Sequence, residues 1–506
     1  PSRSVCLLEA GGEDDWIWFR IPVGYLYCIG NPRTDWMMKT TTEAGLNGRQ
    51  LAYPRGKVLG GCSSINGMIY MRGQAADYDG WAQMGNTGWG WDDVLPYFVR
   101  SEDRPGGDGK MHGQGGEWKV ARQRLNWDLL DDFQRAAQEM GVPPTNDFNS
   151  GDNEGAGYFE VNQNGGRRWS AARAFLKPAL KRRNLRLLTH THVEAITFED
   201  GRANAVTIRQ NGVSVQASAK AEIILAAGAI HSPALLEASG LGQGERLKNA
   251  GIAVHRDMPD VGENLQDHLQ LRMIFRVENA RTLNQIANSW LGKMSMGASY
   301  LWSRSGPLSM APSQFGIFTK SSPEIETPDL EYHIQPLSTD KLGDPLHPYP
   351  AVTVSVCNLR PDSRGSTHIS SDGPSAHPDI SPRYLSASRD IDVALRALRQ
   401  ARELMTMPAL KKYAPREDLP GADIMDDADL ARAAGDIGTT IFHPVGTCRM
   451  GVDDAAVVDP QLRVRGVTGL RIVDASIMPR IVSGNTASPV VMIAEKAADM
   501  ILRSAS

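Results

Sequence analysis

The first twelve residues restrict the fold more than any other stretch. The segment SVCLLEAGG (4–12) predicts a short buried strand that ends at Glu9 and leads into a glycine turn. An acid at the end of the second strand of a dinucleotide-binding unit binds the cofactor's ribose. The first strand and its G-x-G-x-x-G turn should lie about 20 residues before that acid. They are missing from the sequence, so we expect weaker dinucleotide binding than in a chain extended upstream.

A second stretch of this kind lies near the middle of the chain. Residues 222–227 (EIILAA) predict a buried strand, and Ala-Ala-Gly then leads into a helix that we expect Ser232 to cap. Such a turn brings backbone N–H groups close to a bound nucleotide. The two stretches together predict an α/β, Rossmann-like nucleotide-binding domain.

The region from 270 to 435 has a different pattern. The runs LEYHIQPL, AVTVSVCNL and THISS alternate like strands, Pro-rich loops separate them, and a helix is predicted over 388–407. This order predicts an α+β substrate domain built on an antiparallel sheet. We assign the nucleotide-binding domain to 1–80, 170–265 and 440–506. The substrate domain is assigned to 81–169 and 266–439.

Two polar residues in the last 70 residues are candidates for catalysis. His443 follows an apolar run in IGTTIFHPVGTCRMG, and Asn485 lies in SGNTASP before a helix that begins near Pro489. An imidazole can accept a proton near neutral pH, whereas an amide can only hydrogen-bond. The pair could therefore deprotonate a substrate and hold its oxygen. The alternatives are an ordinary loop histidine and a helix-capping asparagine.

Composition excludes several other classes of protein. The 506 residues carry a net charge of -4 and a pI near 6.3, with no basic patch for nucleic acid. The five cysteines are scattered without a C-x-x-C pair, and the histidines lack metal-ligand spacing, so no metal site is predicted. No apolar run reaches the roughly 18 residues of a membrane span. We expect a cytoplasmic protein, and a peripheral contact with a membrane remains open.

Several long motifs resemble the glucose-methanol-choline (GMC) oxidoreductases, in particular their choline and alcohol dehydrogenase branch. RGKVLGGCSSINGMIYMRG resembles the first family signature, and GAIHSPALLEASGLG (228–242) resembles the second. VGENLQDHL, RPDSRG, HPVGTCRMG and VDASIMP are similar to further family blocks. The resemblance runs over essentially the whole chain.

The resemblance implies an FAD-dependent enzyme that oxidises an alcohol to an aldehyde or ketone. His443 matches the family's catalytic base and Asn485 its second active-site position, so His443 would take the hydroxyl proton while the carbon gives hydride to flavin N5. The implied cofactor contacts are Glu9 at the ribose, Gly60, Gly61 and Asn66 at the flavin and pyrophosphate, Val193 at adenine, and Asp474, Ala475 and Asn485 near the flavin.

Two departures from the family pattern refine this expectation. Ile65 stands where covalently flavinylated members have histidine, so the FAD should be non-covalent. Gln314 aligns with a glutamate that choline-type members place against trimethylammonium, so a neutral alcohol is favoured over choline. The reoxidant, a quinone-type carrier or oxygen, is not fixed by the sequence, and neither is the oligomeric state. An oxygen-using alcohol oxidase, a family-related lyase and a flavin-free homologue remain alternatives.

Overall fold

The computed structural model describes residues 3–210, 212–341 and 343–504. Its strands are β1 (Val5–Leu8), β2 (Glu102–Asp103), β3 (Trp118–Lys119), β4 (Ala121–Arg122), β5 (Gly155–Tyr158), β6 (Glu160–Val161), β7 (Gln163–Asn164), β8 (Arg167–Arg168), β9 (Leu185–Leu188), β10 (His192–Glu199), β11 (Arg202–Gln210), β12 (Val213–Ser218), β13 (Ile223–Leu225), β14 (Leu241–Gly242), β15 (Arg256–Asp257), β16 (Leu269–Arg276), β17 (Phe315–Thr319), β18 (Leu330–Gln335), β19 (Ala351–Asn358), β20 (Ser366–His368), β21 (Asp379–Ser381), β22 (Arg416–Leu419), β23 (Gly438–Thr440) and β24 (Leu470–Ile472).

Helices follow the apolar periodicity of the sequence. They are α1 (Tyr25–Cys28), α2 (Ala75–Gln83), α3 (Trp91–Ser101), α4 (Asp128–Glu139), α5 (Lys177–Ala179), α6 (Gly228–Ala238), α7 (Gly244–Asn249), α8 (Leu283–Asn288), α9 (Trp290–Ser303), α10 (Ser388–Thr406), α11 (Asp427–Ile437) and α12 (Ala487–Arg503). In the described residues no helix has the length and apolar character needed to cross a bilayer.

An antiparallel sheet of seven strands forms one half of the molecule. Its order is β22-β16-β19-β18-β17-β5, and β23 pairs with the free end of β16. The predicted strands are confirmed as β18, β19 and β20, and the predicted helix as α10. Helix α10 buries Leu398 and Ala401 against the apolar face of this sheet, where Val354 of β19 belongs to the same core.

The nucleotide-binding half is built from short parallel pairs. Strand β1 pairs with β9, and β13 pairs with β24, so segments far apart in sequence lie side by side. Strands β10, β11 and β12 form a separate antiparallel sheet. Leu225 and Ile472 of the β13–β24 pair share a core with Met492 of α12. The architecture is therefore α/β with an antiparallel α+β part, as expected, while the domain boundaries stay a prediction.

The expected cap of α6 is wrong. Helix α6 begins at Gly228, so Ser232 lies inside it and accepts a hydrogen bond from Ala227 N at 3.2 Å. The first helical N–H, that of Gly228, donates to Asp474 Oδ2 at 2.9 Å. Because the capping carboxylate follows β24, almost 250 residues later, local sequence could not indicate it.

Candidate active site

One cavity of ≈ 3050 Å³ runs between the ends of the parallel strands and the antiparallel sheet. This exceeds the roughly 300–1,000 Å³ of a site for a small ligand and leaves room for a cofactor together with a substrate. All the predicted site residues line it: Glu9, Gly60, Gly61, Asn66, Val193, His443, Asp474, Ala475 and Asn485.

The backbone before His443 is held in an unfavourable conformation. Phe442 has φ of +70°, a region that bulky residues seldom adopt and that costs on the order of 1–3 kcal/mol. Thr440 Oγ1 accepts from Phe442 N at 2.8 Å, and Arg55 Nη2 donates to Phe442 O at 3.0 Å. These contacts fix the turn that carries the imidazole out of β23 and into the cavity.

A buried carboxylate anchors His443 from behind. Asp267 is only 4% exposed, and its Oδ1 accepts from His443 N at 2.8 Å. Its Oδ2 accepts from Thr440 Oγ1 at 2.6 Å, from Tyr53 OH at 2.8 Å and from the Tyr384 hydroxyl. Four donors satisfy this buried carboxyl group, and no arginine or lysine of the described residues forms an ion pair with it.

The imidazole of His443 is oriented by a second imidazole. The Nδ1 atoms of His443 and His268 lie 3.1 Å apart, and His268 Nε2 lies 3.1 Å from the carbonyl oxygen of Leu359. A carbonyl oxygen only accepts, so His268 Nε2 carries hydrogen and the Nδ1 of neutral His268 accepts. His443 must then hold its own hydrogen on Nδ1. Its Nε2 then carries the lone pair and acts as the hydrogen-bond acceptor.

The surroundings keep His443 uncharged. Burial lowers its pKa well below the usual 6.5, and the electrostatic influence of His268, His333 and Arg55 acts in the same direction. Burial likewise lowers the pKa of His268. A neutral imidazole with its lone pair on Nε2 is the form in which a histidine can accept a proton.

Asn485 lies directly against this lone pair. Its Nδ2 donates toward His443 Nε2 at 3.1 Å, while its buried Oδ1 has no hydrogen-bond partner among the described residues. The N-cap of α12 is Thr486, so Asn485 is not the capping residue. Buried polar atoms normally have a hydrogen-bond partner. The unpaired oxygen of Asn485, next to the uncharged imidazole of His443, therefore marks a place at the cavity wall where a polar group of a ligand could bind.

The nucleotide side of the cavity fits a dinucleotide. Glu9 directly follows β1, and its Oε1 accepts from Gly11 N at 2.6 Å. Burial raises the pKa of Glu9 to about 7, which the Gly11 hydrogen bond and Lys57 partly oppose. A single backbone donor leaves this carboxyl with capacity for a ribose hydroxyl. Val193 lies where the register of β10 on β11 shifts, a bulge that turns backbone groups out of the ladder.

Glycines and an amide form the next part of this wall. Gly60 and Gly61 have φ of +87° and +52°, and no atom lies within 4 Å of the place where a Gly61 Cβ would stand. A flat ring or a phosphate can therefore approach the backbone closely. Asn66 Oδ1 already accepts from Arg168 Nη1 at 2.9 Å and Met68 N at 3.0 Å, so its amide hydrogens remain for a ligand.

Asp474 has a structural role beside the cavity. Its Oδ1 accepts from Ser476 N at 2.8 Å, and its Oδ2 accepts from Gly228 N and the Ser232 hydroxyl. Both carboxylate oxygens therefore accept hydrogen bonds from protein groups, and Asp474 links the segment after β24 to α6. The adjacent Ala475 lines the cavity and is the closer candidate for a cofactor contact.

The side chain of Gln314 lies outside the cavity wall. It is fully buried, and neither side-chain polar atom has a partner in the part of the chain that the structure describes. The neighbouring Ser313 lines the cavity instead. The position expected to hold a glutamate therefore places no charge at the cavity wall.

The wall also bears on how the flavin is attached. Ile65 lines the cavity, is 3% exposed, and offers no nucleophilic atom. We expect acid precipitation of the FAD-loaded protein to release the flavin into the supernatant. Absorbance at the flavin band in supernatant and pellet measures this. Yellow colour that stays with the washed pellet would show a covalent bond.

Asp267 and His268 were not among the predicted site residues. Both lie in VGENLQDHL, which the sequence marks only as a family block. The signal in the sequence was weak, since the same block also contains Glu263, Asn264 and Gln266, and nothing in it marks Asp267 and His268 as buried. Their partners are more than 90 residues away, so the pairing itself required the fold.

Comparison with known proteins places the chain in a family. Two family models, both described as GMC oxidoreductase, match residues 23–270 and 361–494. Alcohol dehydrogenase [acceptor] of Pseudomonas putida is 39% identical over 99% of this chain and 92% of its own length. Human mitochondrial choline dehydrogenase is 39% identical over 99% of this chain and 86% of its own.

Solved structures agree with this assignment. Pyridoxine 4-oxidase from Mesorbium loti superposes with a TM-score of 0.88 at 31% identity, covering 99% of this chain and 95% of that chain. Formate oxidase superposes with a TM-score of 0.90 at 25% identity, covering 100% and 94%. The chain therefore belongs to the GMC oxidoreductases and is an enzyme of that family, with FAD as its cofactor.

Proposed function

We propose that the protein oxidises a primary or secondary alcohol to an aldehyde or ketone, with His443 as the base and Asn485 as the group that holds the substrate oxygen. The observation that carries this proposal is the contact of His443 Nε2 with Asn485 Nδ2 at 3.1 Å at the cavity wall. Both relatives named above as dehydrogenases are enzymes of alcohols or choline by name.

The residues divide the proton chemistry between them. A hydroxyl placed at the pair donates its hydrogen to His443 Nε2, and its oxygen accepts from the Asn485 amide. As the O–H bond breaks, electron density on the oxygen favours departure of hydride from the carbon. Bound FAD supplies the two-electron acceptor for that hydride. His443 ends with a proton on each nitrogen, and His268 Nδ1 accepts a hydrogen bond from His443 Nδ1 throughout.

A neutral substrate suits the wall around the pair. Ile441, Phe442 and Pro444, which flank His443 in sequence, line the cavity beside it. None of these carries a charge that would attract a quaternary ammonium group.

The natural reoxidant is proposed to be a quinone-type carrier or oxygen, and the enzyme is proposed to work in the cytoplasm.

An anaerobic titration tests the proposed reaction. We expect neutral primary or secondary alcohols to bleach the flavin absorbance of the FAD-loaded protein without oxygen, and choline to do so less efficiently. Quantification of the carbonyl product should show one molecule of aldehyde or ketone for each flavin reduced. Flavin that stays oxidised with every alcohol, while the protein cleaves a hydroxynitrile or another lyase substrate, would overturn the proposal.

A further inference from the structure

Helix α9 exposes its apolar face to solvent. Trp302 is 95% exposed, Leu301 87%, Trp290 72%, Leu291 71% and Met294 54%. At about 100° per residue, these five side chains lie within a stripe about 120° wide. Large apolar residues are usually buried or scattered singly on a surface, whereas a contiguous stripe marks a surface that meets another apolar phase.

The opposite face of α9 holds the helix on the protein. Tyr300 OH donates to the carbonyl oxygen of Gly166 at 3.0 Å, and Met296 packs against the core beside the antiparallel sheet. Arg124 also fastens the C-terminal end, since its side chain donates to the carbonyl oxygens of Ser303 and Arg304 at 2.9 and 3.1 Å. These contacts hold α9 on the protein with its apolar stripe facing the solvent.

The sequence segment that contains α9 carries charges of one sign only. From residue 279 to residue 323 the sequence contains four basic residues and no Asp or Glu. Lys293 and Arg304 are exposed at α9, and Arg124 and Arg167 are exposed beside its C-terminal end. Within residues 3–210, 212–341 and 343–504, none of these four cations has a carboxylate partner within salt-bridge distance. Their positive charge is therefore not neutralised by a carboxylate and can attract an external anion.

The stripe lies on a helix of which two other residues line the active-site cavity. Lys293 and Met296 of α9 line that cavity, as do Leu283 and Ala287 of α8, whereas the five stripe residues do not. The stripe can therefore be altered without touching the wall around His443.

We propose that α9 docks the enzyme on the surface of an anionic lipid bilayer. The aromatic and aliphatic stripe enters the boundary between headgroups and acyl chains, and the surrounding cations meet the acidic headgroups. At 14 residues the helix is too short to span a bilayer and lies in its plane. A second copy of the chain fits less well, because a two-fold contact would bring the same unpaired cations together.

Vesicle flotation with the full FAD-loaded chain tests this proposal. We expect binding to vesicles of phosphatidylcholine with about one-quarter phosphatidylglycerol, weaker binding to pure phosphatidylcholine, and loss of the difference in high salt. The double variant L301S/W302S should bind the anionic vesicles at least about tenfold more weakly. The matched control is Met425→Ser, which removes an apolar side chain that is 68% exposed outside α9.

Two further measurements make the outcome decisive. Alcohol-dependent flavin reduction in solution should be unchanged in L301S/W302S, which shows that the variant is folded. Size-exclusion chromatography with light scattering over a concentration series reports self-association. Equal vesicle binding of wild type and L301S/W302S would overturn the proposal. Absence of vesicle binding, with a dimer that the same substitutions dissociate, would assign the stripe to a contact between copies and would also overturn it.

Discussion

Replacing His443 with alanine is expected to slow flavin reduction by an alcohol about 100-fold or more, while FAD remains bound. Alanine removes the lone pair on Nε2, and Asn485 beside it is an amide that cannot accept a proton. The backbone contact of residue 443 with Asp267 survives the change, so the turn should keep its shape. Anaerobic stopped-flow absorbance at the flavin band measures the rate.

The control is His255→Ala, which removes an exposed histidine that stacks on Phe198 away from the cavity. Its reduction rate should match that of the wild type. The pKa of His443 lies well below 6.5, so the rate of flavin reduction in the wild type should stay constant as the pH falls to 6.5. The rate should decrease only at lower pH, where His443 Nε2 becomes protonated. A His443→Ala rate within about threefold of the wild type would show that another group removes the proton.

His268→Leu is expected to lower the same rate by roughly 10- to 100-fold, the range observed when the hydrogen-bond partner that orients a metal-binding imidazole is removed. Leucine cannot accept from His443 Nδ1, so the hydrogen is no longer held on that nitrogen and the Nε2 lone pair is available for a smaller fraction of the time. His268 is a positioning residue in this scheme. The KM for the alcohol should therefore change far less than kcat.

His268→Gln separates orientation from packing. A glutamine amide can accept from His443 Nδ1 with its oxygen and donate to Leu359 O with its nitrogen, as His268 does. We expect it to recover a substantial part of the lost rate. If the leucine and glutamine variants lose equal activity, and FAD release rises in both, His268 supports the fold and has no role in orienting the base.

The sequence predicted the elements that depend on local pattern and missed those that depend on distant partners. Strands β18 and β19 and helix α10 follow from period-2 and period-3.6 patterns within single stretches. The cap of α6 comes from Asp474, beyond any local window. The positions of His443 and Asn485 could be named from motifs, yet their 3.1 Å contact depends on a turn held by Asp267 and Arg55.

The same contrast between local pattern and distant partners applies to the candidate active site. A motif identified His443 as a candidate base, but which nitrogen carries its hydrogen follows from Leu359 O through His268. Two imidazoles 175 residues apart in sequence must first be brought together by β16 and β23. The exposed stripe on α9 is likewise invisible to periodicity, because an apolar face looks the same in sequence whether a core or a solvent lies against it.

The pairing of β13 with β24 has a consequence for biosynthesis. Ile223–Leu225 leaves the ribosome about 245 residues before Leu470–Ile472, an interval of roughly 10–50 s at usual rates of synthesis. Throughout that interval β13 has an unpaired edge and α6 lacks the carboxylate of Asp474, so the nascent chain is exposed to wrong strand partners. Holding chaperones should therefore act on this enzyme during translation, and the base and its amide partner can meet only after nearly the whole chain has been made.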